Sequence, residues 1–235
     1  MRHFIFIVAL AAAAAGCGND AAAPDSGAGI AAAVAAPGNT APSAAGNALS
    51  GRSGELINPD DATMVFLYYD LAGITPPVDA WVENDTRVKY ASAPDKAAQR
   101  ALVRAELESA PAGVHGVGAL RLTMNADLSD YDPTYGEFTV RAVAPSSTVS
   151  FQALGQKVSL RFGNGAAAQI WPVPADQAQL VRDKLGYGSA SIDVLLQIAG
   201  VQPAPGGGTI VTDVVSYELR ESRTGVTLGR VQVSR

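Results

Sequence analysis

Residues 192–219 read IDVLLQIAGVQPAPGGGTIVTDVVSYEL, and the architecture of the chain follows from this stretch. Apolar side chains crowd its first nine residues and return along its last ten. Apolar runs of this length, rich in valine and isoleucine and bounded by glycine and proline, are typical of buried strands. Residues 203–208, PAPGGG, hold the turn formers between the two runs and predict a loop. The stretch therefore predicts two long strands, which a short connection favours as an antiparallel pair.

Further strands are predicted on both sides of this pair, because apolar and polar residues alternate near positions 122, 140, 150 and 160 and again over 226–233. Residues 129–136, SDYDPTYG, separate the first two of these runs and are rich in turn formers. We therefore predict that the strands near positions 122 and 140 form one hairpin with a long loop. Short connections of this kind make a mainly antiparallel sheet the expectation.

The N-terminal part of the folded region has helical spacing instead. Asn58 and Pro59 predict the start of a first helix, and Gly73 predicts its end. A second helix is predicted over residues 79–90, and a third from residue 94 to just before Pro111. The resulting fold class is α+β, with a helical N-terminal part packed on a mainly antiparallel β-sheet.

The first residues of the chain form a segment of another kind. Arg2 precedes an apolar run over residues 4–15, which is shorter than the roughly 20 residues of a membrane-spanning helix. A positive start, an apolar middle and a small-residue end are the parts of a secretory signal. Residues 14–17, AAGC, resemble the lipobox of bacterial lipoproteins, in which the cysteine becomes the lipidated first residue.

This resemblance implies that residues 1–16 are a signal peptide and that Cys17 carries lipid, including palmitate, as the membrane anchor. Ordinary signal cleavage that leaves Cys17 as a free thiol is the alternative. Cys17 is the sole cysteine of the chain, so no intramolecular disulfide forms. Gly18 stands where an aspartate favours the inner membrane in enteric bacteria, and the resemblance therefore implies the outer membrane, facing the periplasm.

Residues 17–53 are predicted to be the lipidated cysteine followed by a flexible tether rich in alanine, glycine, proline and serine. Such a composition buries too little apolar surface to offset the entropy of folding. A random coil of this length reaches roughly 30–35 Å. Residues 54–235 are predicted to form a single globular α+β domain of ordinary size.

Residues with catalytic or metal-binding chemistry are few. His115 is the only histidine outside the leader, and the glycines around it predict a loop histidine instead of a triad member. The densest acidic cluster is Asp127, Asp130, Asp132 and Glu137. We predict a solvated loop there and no metal site, with these four residues as the only candidates for one, because the calcium-loop order D-x-[DN]-x-[DN]-G is missing. No catalytic residue and no cofactor is assigned.

The formal charge of −5 argues against nucleic acid as a partner. Short motifs at residues 101–106, 131–132, 162–164 and 224–230 resemble an uncharacterised family of proteobacterial envelope proteins, a resemblance that implies no activity. The expected function is that of a membrane-anchored envelope lipoprotein whose domain binds a protein or envelope component without catalysis. A carboxylate-dependent envelope hydrolase is the alternative.

Overall fold

A computed structural model describes residue 49 and residues 51–234 of the chain. The predicted signal peptide, Cys17 and most of the predicted tether lie outside the described residues. Within the described part, no helix combines the length and the apolar character that a membrane crossing requires.

The described residues contain nine strands: Gly54–Ile57 (β1), Val117–Asn125 (β2), Glu137–Thr139 (β3), Thr148–Ala153 (β4), Gln156–Phe162 (β5), Ile170–Pro172 (β6), Ala190–Ala204 (β7), Gly207–Glu221 (β8) and Thr227–Gln232 (β9). Seven of them form one sheet in the order β1-β2-β7-β8-β5-β4, with β9 also paired to β8. The pairs β1–β2 and β5–β8 are parallel, and the other four are antiparallel. The predicted strand pair is thus the centre of the sheet, and its connecting loop is shorter than expected because β7 continues to Ala204.

Six α-helices accompany the sheet: Asp61–Ala72 (α1), Val78–Asn84 (α2), Thr86–Lys89 (α3), Lys96–Ser109 (α4), Gly165–Ala168 (α5) and Ala175–Leu185 (α6), among the described residues. Short 3-10 turns cover Ala110–Gly113 and Arg141–Val143. Helix α1 is buried along most of its length and packs against β4, β5, β7 and β8. The α+β class, with N-terminal helices on a mainly antiparallel sheet, is therefore confirmed.

The predicted start of the first helix is wrong by two residues. Asp60, not Asn58, caps α1, and its carboxylate accepts the backbone N–H of Thr63 at 2.7 Å. Asn58 instead adopts a positive φ of 43°, and its side-chain oxygen accepts the N–H of Thr123 at 2.7 Å. That bond ties the end of β1 to β2. The Asn58 side chain is therefore used in a sheet contact, and it does not cap the helix as the local sequence predicted. Gly73 ends α1 in the left-handed region at φ 64°, as predicted.

The predicted hairpin between the runs near positions 122 and 140 is also wrong. Both edges of β2 are occupied, one by β1 and the other by β7. β3 pairs with β6 in a separate two-stranded sheet, where Phe138 lies opposite Trp171. The Phe138 ring stacks on Trp171 and meets Tyr131, each at a centroid distance of 5.2 Å. A local aromatic cluster therefore holds β3 away from the main sheet.

The predicted second helix divides into α2 and α3 at Asp85, which has an extended backbone and caps α3 by accepting the N–H of Arg87 at 2.8 Å. Val82, Val88 and Val103 form a small cluster of their own that joins α2, α3 and α4. Trp81 faces the other way and belongs to the main core beneath the sheet. The helices α2 to α4 thus form a side layer that contacts the main core through Trp81 and through Leu107 of α4.

Candidate functional site

Two adjoining cavities lie at the C-terminal end of α1, and Tyr69 and Ile74 line both of them. Their volumes are about 280 and 370 Å³. The first is completed by Phe66, Asp70, Gly73, Thr75, Pro76 and Pro111, and the second by Tyr68, Gln156 and residues 203–207. We call these two cavities together the Ile74 groove. They bring the end of α1 next to the turn between β7 and β8.

Perpendicular aromatic contacts fix one wall of the Ile74 groove. The Tyr69 ring meets Tyr68 and Trp81 at centroid distances of 5.3 Å, and Phe66 meets Trp81 at 5.6 Å. Edge-to-face pairs at these distances are favourable beyond the apolar area they bury. The four aromatic rings are themselves buried, whereas Ile74 is 43% exposed. The groove is therefore a preformed recess that presents one large apolar side chain to solvent.

Another part of the lining belongs to the glycine run in the β7–β8 turn. Gly206 has a φ of 74°, which glycine adopts without steric cost. A Cβ at position 208 would lie 2.5 Å from Cε2 of Tyr68 and 2.6 Å from the carbonyl oxygen of Gln202. Only glycine at position 208 lets the turn pack directly on the Tyr68 ring. The glycine run therefore allows the β7–β8 turn to pack against Tyr68 in this groove.

Asp70 sits in the wall of the first cavity with its charge already paired. Its Oδ2 accepts a hydrogen bond from Nη1 of Arg52 at 2.6 Å, and its Oδ1 lies 3.3 Å from Nδ1 of His115. Arg52 also donates to the carbonyl oxygen of Val117 at 3.5 Å. The side chains of Arg52 and Asp70 are only 12% and 18% exposed. This partly buried ion pair leaves the groove with little net charge at that end.

His115 does not occupy the centre of a catalytic arrangement. Its side chain is 83% exposed, and its described hydrogen bond runs from Nδ1 to Asp70. A Ser–His–Asp site also needs a hydroxyl nucleophile bonded to the other ring nitrogen. In the part of the chain that the structure describes, Nε2 of His115 has no such partner. The residue is an exposed loop histidine next to Asp70.

The acidic residues Asp127 and Asp130 lie on the surface. The side chain of Asp127 is 62% exposed and pairs with Arg141 at 3.2 Å. Asp130 is exposed as well, and its backbone carbonyl accepts the hydroxyl of Ser129 at 2.7 Å. Both positions are those of a solvated loop.

Asp132 and Glu137 are the two members of the acidic cluster that the fold brings side by side, through an isolated antiparallel bridge. Oδ1 of Asp132 accepts the backbone N–H of Thr134 at 2.8 Å, which makes it a turn-stabilising residue. Among the described residues, no three His, Cys, Asp or Glu side chains are placed to hold a metal ion. The Ile74 groove contains none of these four carboxylates, so the hydrolase alternative gains no support from its geometry.

Sequence reasoning missed the Ile74 groove, although one signal was present. Residues 73–77, GITPP, place a large apolar side chain in a loop between a helix-ending glycine and two prolines. Because loops run over the protein surface, a large apolar residue in such a loop indicates an exposed apolar side chain. Its aromatic neighbours, in contrast, are indistinguishable in sequence from ordinary core residues of α1.

Fold and groove together define an α+β domain with a preformed apolar recess. Comparison with protein-family models, with curated proteins and with solved structures finds no match to this chain. The resemblances to lipoproteins and to an envelope protein family therefore remain predictions from the sequence.

Proposed function

We propose that this chain is a lipoprotein of the bacterial cell envelope, anchored in the outer membrane by lipid on Cys17 and facing the periplasm. Its domain binds a partner protein without catalysis. The binding site is the Ile74 groove, and the occupant that fits its chemistry is an extended, proline-containing apolar segment of the partner.

The observation that carries the binding proposal is the lining of the groove. Tyr68 and Tyr69 form one side, and proline residues at positions 76, 203 and 205 form much of the rest. Grooves lined by aromatic residues recognise proline-rich segments, because these segments are already extended and lose little entropy on binding. The pairing of Asp70 with Arg52 supports an uncharged occupant, since an apolar segment then covers no unpaired charge.

The anchoring proposal is supported by the AAGC motif after an apolar run. The mass of the intact protein extracted from membranes is the direct test. We expect a chain that begins at Cys17 and carries acyl groups, and a Cys17→Ala variant that is released as soluble protein. A native chain that starts at another residue, or that plain buffer washes from membranes, would contradict the anchor.

Position-specific photocrosslinking in cells tests the groove. A photoreactive amino acid at position 74 is expected to crosslink to one protein, whereas the same probe at the fully exposed position 187 is not. A synthetic peptide copied from the crosslinked segment should bind the purified protein, and Ile74→Asp should abolish that binding. The groove is not the binding site if positions 74 and 187 yield the same products, or if position 74 yields none.

The two halves of the proposal are separable in one further experiment. The Cys17→Ala variant keeps the whole domain, so position 74 of that variant should still crosslink to the same partner. A wild-type chain that lacks the lipid mass but gives the crosslink would leave the groove proposal standing alone, and a lipidated wild-type chain that gives no crosslink would leave only the anchor.

A further inference from the structure

Another exposed surface lies where β7 begins and β8 ends. The loop at residues 186–189 leads from α6 into β7, and the turn at residues 222–226 joins β8 to β9. They lie side by side, because the backbone N–H of Ser222 donates to the carbonyl oxygen of Ser189 at 2.9 Å and the two hydroxyl oxygens are 3.1 Å apart. We call this surface, together with Lys184 at the end of α6, the Tyr187 tip.

The exposed side chains of the Tyr187 tip include two cations and two apolar groups. Tyr187 is fully exposed between two glycines, and Val226 is 45% exposed. The side chain of Arg223 is 78% exposed, although its Nε lies 3.4 Å from the buried carboxylate of Glu221. Lys184 is exposed and has no ion pair among the described residues. The tip itself contains no aspartate or glutamate.

The carboxylates closest to the tip in the sequence and at the same end of the sheet are already bonded. Glu221 is 2% exposed, and its carboxylate accepts hydrogen bonds from the turn that follows it. Asp183 on α6 accepts Nε2 of Gln179 at 2.8 Å, and Asp127, just beyond β2, pairs with Arg141 at 3.2 Å. The formal charge of the whole chain is −5, so the positive charge of the tip is a local property.

The Tyr187 tip and the Ile74 groove lie at opposite ends of one strand pair. The ladder between β7 and β8 begins with Ala190 opposite Glu221, next to the tip. It ends with Ala204 opposite Gly207, and both of these residues line the groove. Each strand has 15 residues, which corresponds to roughly 45 Å. A surface that binds the tip therefore leaves the groove at the far end of the sheet.

We propose that the Tyr187 tip docks on the anionic phospholipid surface of the membrane that holds the lipid anchor; the identity of that membrane rests on the proposed function. Lys184 and Arg223 pair with lipid phosphate groups, because an anionic leaflet attracts nearby cations. Tyr187 and Val226 enter the boundary between headgroups and acyl chains. Tyrosine favours this boundary, since its ring is apolar and its hydroxyl stays in water. The Ile74 groove then lies at the end of the sheet that is distant from the membrane.

The chain between Cys17 and the domain is long enough for both membrane contacts. The side chain of Arg52, near the start of the described chain, bonds to Asp70 in the lining of the groove. About 35 residues separate Cys17 from Arg52, and such a chain spans roughly 100 Å or more when extended. This span exceeds the length of the central strands, so the anchor and the tip can reach one membrane. Tethering also raises the effective concentration of lipid at the tip, so a weak affinity is sufficient.

Vesicle sedimentation with the Cys17→Ala chain tests the tip without the lipid anchor. Vesicles of equal parts phosphatidylglycerol and phosphatidylcholine are compared with vesicles of phosphatidylcholine alone. We expect saturable binding to the anionic vesicles that added salt reverses, and no binding to the neutral vesicles. Absence of binding to both, or equal binding to both, overturns the tip proposal. Either result leaves the anchor proposal intact, because the intact mass of the native chain tests the anchor separately.

Paired substitutions separate a local contact from an effect of net charge. Lys184→Gln combined with Arg223→Gln should weaken binding to the anionic vesicles about fivefold for each lost cation. Lys89→Gln combined with Lys157→Gln is the matched control, because it removes the same charge from two exposed lysines elsewhere in the domain. This control should change binding less than about twofold, since distant charges are screened. Equal weakening by the two pairs, with native circular dichroism, overturns the proposal.

The aromatic contact has its own test. Tyr187→Ser should weaken vesicle binding several-fold, whereas Tyr135→Ser, at an exposed tyrosine in another loop, should not. Equal effects of these two substitutions would exclude insertion of the Tyr187 ring. In cells, a photoreactive amino acid at position 187 of the native chain should give lipid adducts. A single crosslinked protein at this position would assign the tip to a protein partner and overturn the proposal.

Discussion

The side-chain amide of Asn164 pairs with the main chain of Val214 as a strand residue would. Its Nδ2 donates to the carbonyl oxygen of Val214 and its Oδ1 accepts the N–H, each at 2.8 Å. Along this edge of β8, β5 ends at Phe162 and the chain after β9 donates from Val233 to the carbonyl oxygen of Val215 at 2.9 Å. Asn164 thus closes the gap between two strands that share one edge of the central strand.

Asn164→Ala is expected to lower the free energy of unfolding by about 2 kcal/mol, because it leaves two partly buried backbone groups of Val214 unpaired. Urea unfolding followed by circular dichroism measures the change. Gln152→Ala, at an exposed position of the edge strand β4, is the control and should change stability by less than about 0.5 kcal/mol. Equal effects of the two substitutions would mean that the amide does not complete the sheet.

Asn164→Asp tests the donor separately from the acceptor. The carboxylate still accepts the N–H of Val214, but its second oxygen faces the carbonyl oxygen that Nδ2 reaches now. The folded state should therefore raise the pKa of the new carboxyl, since only the protonated acid donates. The stability deficit of this variant relative to the wild type should shrink as pH falls through that carboxyl's pKa. A deficit that is constant from pH 7 to pH 4 would contradict this interpretation.

Glu218 makes stability depend on pH at the acid end. The hydroxyl of Thr227 at 2.6 Å, with Arg220 and Arg230 nearby, lowers the pKa of Glu218 from 4.5 to about 2. A carboxyl with a depressed folded pKa adds stability above its unfolded pKa, and this stability is lost as pH falls toward the folded value. The advantage of the wild type over Glu218→Gln should therefore shrink between about pH 5 and pH 1. Thr227→Val should weaken this dependence, and an advantage at pH 2 as large as that at pH 7 would disprove the assignment.

The Arg52–Asp70 pair bears on where the stable domain begins. Arg52 lies in the last part of the predicted tether, yet its side chain is 12% exposed and Leu49 packs against the core. A chain that starts at residue 54 should be less stable than one that starts at residue 49 by about 1–3 kcal/mol, a value between those of exposed and buried ion pairs. Arg52→Ala in the longer chain should reproduce most of the loss. Thermal unfolding that is identical for all three would place the boundary at residue 54.

Gly208→Ala tests the wall of the Ile74 groove. The added methyl group meets both the Tyr68 ring and the carbonyl oxygen of Gln202, so we expect a loss of about 1–3 kcal/mol from overpacking. Gly113→Ala is the matched control, because a Cβ there meets nothing within 4 Å. Denaturant midpoints of the two variants should differ clearly. Similar midpoints would show that the turn does not pack on Tyr68.

Local sequence patterns were sufficient to predict those elements whose structure depends on neighbouring residues. The glycine at position 73 ends α1, the prolines at 94 and 111 bracket α4, and residues 192–219 hold the two central strands. Each of these features depends on backbone conformation or on burial with a fixed period, which the sequence displays directly. The α+β class follows from their order along the chain.

Contacts between residues far apart in the sequence could not be predicted from local patterns. The pairing of β3 was decided by the occupied edges of β2, and the helix-cap signal at Asn58 was outweighed by its bond to Thr123. No feature of the sequence around Asn164 indicates that its side-chain amide pairs with the main chain of Val214. These outcomes depend on which surfaces remain free once other elements have packed.

Most elements of this domain and their order could be predicted from the amino-acid sequence alone, because period, turn residues and composition are properties of consecutive residues. The Ile74 groove, in contrast, exists only in the folded domain. It joins segments far apart in the sequence, as Ile74 and Gln156 show. Its shape arises from packing between distant segments, which no local pattern encodes.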